Sequence, residues 1–268
     1  MPGKDANTYL LCHFEGTDGA TTTTDATGRH TLTFAGTVEI DTASKKWGNS
    51  SALFTVAGNP HISSADSTDW DLCGSAADSW TIDFQVAHKT AAAASNETYI
   101  SHAANTSTGW RFWRDTAEAL YFQLISGGVP AIGFNTAASA IADTNWHHVA
   151  LCKVADEYGI YVDGTQKGYV QDNSTQTITG SLYIGRFFNI LSYDGWMDEL
   201  RVQHSNYFGA APVVGLTDTI TPPIGPYGVD ARGGVAVGSP MIYKYKRKAF
   251  LWVPDRIWYQ SNTIPMVR

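Results

Sequence analysis

Cleavage of a glycosidic bond needs two carboxyl groups flanking it, about 5–5.5 Å apart for retention and about 6.5–9.5 Å for inversion. On one face of a strand this means an acid-x-acid spacing, because side chains alternate from face to face. Asp198 and Glu199 are adjacent, so alternation sends them to opposite faces. Asp194 and Asp198 are separated by Gly195, which turns the chain between them, and no Glu-x-Asp-x-Glu run occurs. His147 and His148 are adjacent as well, unlike the two ligands of a metal pair. The chain has no Gly-x-Ser-x-Gly elbow, P-loop or dinucleotide fingerprint. It has no CxxC motif or Cys/His cluster at zinc spacing either. These patterns argue for a protein that is not an enzyme.

Binding chemistry is better represented. In Trp110-Arg111-Phe112-Trp113-Arg114, alternation places Trp110, Phe112 and Arg114 on one face and Arg111 and Trp113 on the other. Rings beside hydrogen-bonding groups suit a sugar, so Trp110, Arg111 and Trp113 are candidate glycan-binding residues, with Tyr193 at a rim. A core strand with one exposed aromatic is the competing reading of the same run. Asp18, Asp25 and Asp194 in polar loops are candidate calcium ligands, because Ca²⁺ takes several hard oxygens. Their spacing does not specify a site.

The elements that would position these residues are strands. Hydrophobic residues make up 43% of the 268 residues and charged residues only 16%, which suits many strands and turns rather than exposed amphipathic helices. Trp80 to Val86 alternates cleanly, with Trp80, Ile82, Phe84 and Val86 on one side, and reads as a half-buried strand. Trp146–Val154 is apolar on both parities and belongs mid-sheet; Trp146 is expected in the core beside Trp80 and Phe84, and His148 as a hydrogen-bonded core histidine. Asp163-Gly164 is a hairpin signal, because a type I′ turn needs positive φ at both positions. Residues 88–97, with four consecutive alanines, suit a short helix or a loop equally. Cys12, Cys73 and Cys152 read as buried free thiols. No signal core or 18-residue apolar run is present, so a protein folded in a reducing cytoplasm, off the membrane, is expected.

Four blocks occur in a telling order: Trp146-His147-His148-Val149-Ala150-Leu151, Tyr161-Val162-Asp163-Gly164, Leu182-Tyr183-Ile184-Gly185 and Trp196-Met197-Asp198-Glu199-Leu200-Arg201-Val202. With the opening Leu10-Leu11-Cys12-His13-Phe14-Glu15-Gly16, they resemble the laminin-G-like, concanavalin-A-like jelly rolls over roughly residues 7–208. The resemblance implies an all-β fold: a two-sheet antiparallel jelly-roll sandwich. It also implies glycan binding in many members, calcium in some, and a place for such domains in bacteriophage structural proteins.

Organisation follows as a sandwich over 1–209, a Pro/Gly-rich linker over 210–240 and an extended C-terminal arm over 241–268. The arm holds six basic residues against Asp255, a net +5 within a total of −7, which leaves −12 on residues 1–240. Tyr243, Lys244, Tyr245, Lys246, Arg247, Trp252 and Trp258 are candidate partner-binding residues, since Tyr, Trp and Arg are the usual interface anchors. A homo-oligomer assembling through this arm, alongside other virion proteins, is the expected role; an arm folded back on its own sandwich is the alternative. The acidic body disfavours nucleic acid. A lectin-like module for surface glycans is the other functional expectation.

Overall fold

The computed structural model describes residues 4–228. Ala6–Pro226 forms one compact unit; a second, Met1–Asp5 with Tyr227–Arg268, lies almost wholly outside the described residues, and the arm residues from Tyr243 to Trp258 fall there.

In chain order the strands are β1 (Thr8–Cys12), β2 (Thr33–Ala35), β3 (Val38–Asp41), β4 (Ser51–Phe54), β5 (His61–Ser64), β6 (Trp80–His88), β7 (Glu97–Asn105) and β8 (Thr108–Arg114). There follow β9 (Leu120–Ser126), β10 (Val129–Asn135), β11 (His147–Val154), β12 (Glu157–Val162), β13 (Thr165–Gln171), β14 (Ser181–Ile184) and β15 (Gly195–Gln203). They build two antiparallel sheets. One has eight strands in the order β13-β12-β11-β6-β15-β4-β3, with β1 also paired to β15. The other has seven, in the order β10-β9-β8-β7-β14-β5-β2. The only helical turn among the described residues is Thr68–Trp70.

The apolar parities face inward as alternation requires. Trp80, Ile82, Phe84 and Val86 of β6 meet Trp110 and Phe112 of β8, Phe122 of β9 and Tyr158 of β12 in one continuous core. Rings there meet edge-on or tilted, Phe84 against Phe112 at 5.9 Å and Trp80 against Tyr158 at 6.0 Å, the geometry that ring quadrupoles favour. Asp163 (φ 49°) and Gly164 (φ 87°) make the hairpin between β12 and β13 with both φ values positive. The three cysteines are free and buried.

Residues 89–96 form a loop, one of the two outcomes the four alanines allow. Three expectations need correcting. Trp146 is only half-buried, just before β11, and is not in the core. The polar parity of β6 is buried too, so this strand is not half-solvated. The cause is the third correction: residues 204–226 run back across the outer face of the eight-stranded sheet, so 210–226 is no linker. Ala210 and Ile220 pack on Ala150, Cys152 and Tyr161, and the Tyr161 hydroxyl donates to Asp218 Oδ2 at 2.6 Å.

Beneath this strap the sheet buries charge. Arg201 Nε and Nη2 each lie 2.9 Å from Asp83 Oδ1, and His148 Nε2 is 3.3 Å from Asp83 Oδ2. The Arg201 guanidinium lies 3.5 Å from the Tyr207 ring centroid. His148 is thus the hydrogen-bonded core histidine expected. Asp198 accepts from the backbone N–H groups of Lys46 and Trp47, each at 3.0 Å; burial pushes its pKa up to about 7. The middle of this outer face is therefore covered by the chain itself.

Candidate functional site

The outer face of the seven-stranded sheet carries Arg111 and Trp113 of the sequence candidates. Register aligns a row of side chains across all seven strands: Thr33, Ser63, Tyr183, Ser101, Arg111, Gln123 and Gly133. A second row joins Trp113 of β8 to Tyr121 of β9 and Asn135 of β10. Both rows follow from period-2 alternation, because their neighbours Phe112, Phe122, Leu124, Ile132 and Phe134 all enter the core.

Trp113 stacks on Tyr121 with centroids 4.9 Å apart and an interplanar angle of 18°. The Arg111 guanidinium sits 4.0 Å from the Trp113 centroid and 4.8 Å from that of Phe187, and its Nη2 donates to Gln123 Oε1 at 3.0 Å. Burial lowers the Arg111 pKa. Phe187 belongs to the loop between β14 and β15, which folds back over the sheet as a ridge. It is buried on Ala103 and Ile125, and the Ser101 hydroxyl pins the ridge by donating to the Arg186 carbonyl at 2.8 Å. On its far side Arg186 lies 5.3 Å from the Tyr183 centroid; Tyr183 also contacts Phe188 and His61. Beyond Tyr121 the floor is open, since a Cβ at Gly133 would meet nothing within 4 Å.

The sequence candidates distribute unevenly over this surface. Arg111 and Trp113 lie on it, but Trp113 is only 6% exposed, covered by Arg111 and Tyr121, so it supports the surface rather than offering a platform. Trp110 is fully buried, its Nε1 donating to the Trp70 carbonyl at 2.9 Å. Tyr193 is fully buried as well, its hydroxyl 3.0 Å from the carbonyl oxygens of both Ala87 and Trp196, which share its one proton. Neither ring has a face to give a sugar, and both are corrected to core residues. Tyr121, Gln123, Tyr183 and Arg186 were missed. Tyr121 and Gln123 could have been found by pairing the alternation of β9 with that of β8.

The acidic candidates do not converge. Asp25 is buried and accepts from the backbone N–H groups of Leu11, Thr27, Arg29 and His30. Asp18 binds the N–H and hydroxyl of Thr42. Asp194 accepts from Val56 N–H and lies 3.6 Å from Lys89 Nζ. Among the described residues no three His, Cys, Asp or Glu side chains come together as metal ligands would, so these aspartates do not fit a calcium site. A cleft of about 300 Å³ at the sandwich end holds Asp71, Asp78 and His204. Asp71 is engaged there by Ile178 N–H and His204 by the Asp69 carbonyl.

A two-sheet jelly roll with the middle of one face strapped and the other carrying rings, amides and guanidinium groups is a lectin-like architecture. Residues 57–206 match the family Laminin_G_3, described as the Concanavalin A-like lectin/glucanases superfamily, and the chain belongs to that family. No curated protein matches it. Solved structures with the same fold include the botulinum neurotoxin type G receptor binding domain, at 14% identity and a TM-score of 0.56 over 75% of this chain and 48% of that one. The binding domain of botulinum neurotoxin DC in complex with SialylT aligns at 13% identity and 0.57 over 75% and 48%. The serotype C1 binding domain does so at 14% and 0.58 over 75% and 49%. The chain thus spans about half the length of these structures.

Proposed function

We propose that the protein is a non-catalytic glycan-binding module whose ligand lies on the outer face of the seven-stranded sheet. The observation that carries this reading is the half-exposed Tyr121 ring, held flat by Trp113 behind it and flanked by the Arg111–Gln123 pair. A ring fixed in one orientation loses little entropy on binding, and the amide and guanidinium beside it match hydroxyl groups. Membership of a lectin/glucanase superfamily and likeness to receptor-binding domains support it. Catalysis by a carboxyl pair has no means on this face. Its seven strands carry one carboxylate, Glu97, which is buried and lies 3.6 Å from Arg114.

A place in a virus particle, expected from the basic and aromatic arm, draws no support from the comparisons, and the lectin-like fold favours the glycan reading. The test is a glycan array followed by calorimetric titration of the strongest hit. Saturable binding that weakens at least tenfold in Tyr121→Ala, with an unchanged circular dichroism spectrum, is expected. Absence of binding to every glycan on the array, or a Tyr121→Ala protein that binds as the parent does, would overturn the proposal.

A further inference from the structure

Five arginines lie among the described residues, and their partners divide them sharply. Arg29 is 3.6 Å from Asp69, Arg114 is 3.6 Å from Glu97, and Arg201 is 2.9 Å from Asp83. Arg111 and Arg186 have no carboxylate within 4.0 Å among the described residues, although residues 1–240 carry a net charge of −12. Both stand on the outer face of the seven-stranded sheet, one on each side of the ridge.

These two guanidinium groups are not freely solvated. Each is half-buried and spread over aromatic rings, Arg111 over Trp113 and Phe187, Arg186 over Tyr183. Their Nε atoms, and the neighbouring Trp113 Nε1, are buried without an acceptor among the described residues. A cation drawn partly out of water without a counter-ion costs free energy that an arriving anion returns. A planar guanidinium on a ring keeps its outer edge aimed outward, the geometry that binds a carboxylate or sulfate through two parallel hydrogen bonds. Glu97 is buried against Arg114, and Asp115, which borders this face beside the Tyr121 hydroxyl, is engaged by the N–H groups of Ala117 and Ala119.

Resting on the glycan reading above, we infer that the ligand is an anionic glycan, its carboxylate or sulfate groups received by Arg111 and Arg186 on the two flanks of the ridge. The neutral sugar framework meets Tyr121, Gln123 and Tyr183, while the charge supplies selection. Salt should weaken this binding by screening the local attraction at the two arginines, an effect moderated because it also screens the repulsion from the acidic body.

The experiment is an array carrying sialylated, sulfated, uronic-acid and neutral oligosaccharides. Calorimetry on the full chain then compares the best acidic hit with its uncharged counterpart at low and high salt. Binding of the acidic form at least tenfold tighter than the neutral form is expected. Arg111→Gln and Arg186→Gln should each lose at least fivefold for the acidic form with little change for the neutral one. Arg111→Lys, which keeps the charge but not the fork, should retain part of the affinity, and thermal melts verify that each variant is folded. Equal binding of acidic and neutral forms, or folded glutamine variants that bind like the parent, would overturn the charge assignment while leaving the glycan reading in place. Failure to bind any glycan would overturn both.

Discussion

Asp83 and Arg201 sit under the C-terminal strap, 1% and 0% exposed. Asp83→Ala would remove the acceptor that lies 2.9 Å from both Nε and Nη2 of Arg201, beneath the Tyr207 ring. Breaking a buried ion pair by removing one member costs about 3–5 kcal/mol. Against a total of about 5–15 kcal/mol for a domain, that is about a fifth or more of the margin. For a domain of this size, the corresponding fall in melting temperature is roughly 6–20 °C. Urea titration followed by tryptophan fluorescence would give the change in midpoint, with the slope checked for constancy. The double variant Asp83→Leu/Arg201→Met removes both charges and should recover most of the loss, since exchange of a buried pair for apolar groups is often neutral. A single variant that loses less than about 1 kcal/mol would refute the reasoning, because this argument puts its cost at about 3–5 kcal/mol. So would a double variant as unstable as the two single changes added together.

Two further predictions concern other parts of the sandwich. Burial pushes the Glu97 carboxyl up to about 7, outweighing the nearby Arg114; the folded state therefore holds a proton that the unfolded chain releases. Its contribution to stability is full below about pH 4.5 and is lost as pH rises through 7, on the order of 3 kcal/mol for a shift of this size. Glu97→Gln should flatten that part of the stability–pH curve measured by denaturant titration, and an unaltered curve would count against it. At the hairpin, Gly164 has φ +87°, and a Cβ there would lie 2.6 Å from the Ile220 carbonyl oxygen. Gly164→Ala should destabilise by more than about 1 kcal/mol and loosen the strap, read as faster amide exchange over residues 218–222; unchanged exchange would contradict this.

Alternation made the interior legible. The parities of β6, β8 and β11 are those the sequence pattern requires, and the paired positive φ values at Asp163 and Gly164 follow from residue type alone. The binding face was legible only in part, because it is made by register between strands. Arg111 belongs to β8, Tyr121 and Gln123 to β9, and no single strand's pattern says which residues stand opposite. Tyr193 and Trp110 illustrate the opposite error, in which polar-tipped rings found partners in buried carbonyls rather than at a surface. Arg186 and Phe187 reach the face through a loop that folds back, with no local signal in their own residues. Residues 210–226 looked like a linker because of their prolines, yet Pro212 and Pro223 are buried. A segment that meets the sheet's ladder at one bridge only, Thr219 to Thr165, needs few N–H donors, so proline is no obstacle elsewhere along it.

The ridge between β14 and β15 bears on how recognition could diversify. Its ten residues run from Gly185 to Asp194; its base enters the core through Tyr193, while its tip, Arg186 to Ile190, is moored outside that core by Phe187 and the Ser101 contact. Lengthening or shortening it would redraw the recesses on either side while leaving the strand pairings beneath untouched. Selectivity and foldability are thereby carried by separate stretches of the polypeptide, so one can drift while the other is held constant.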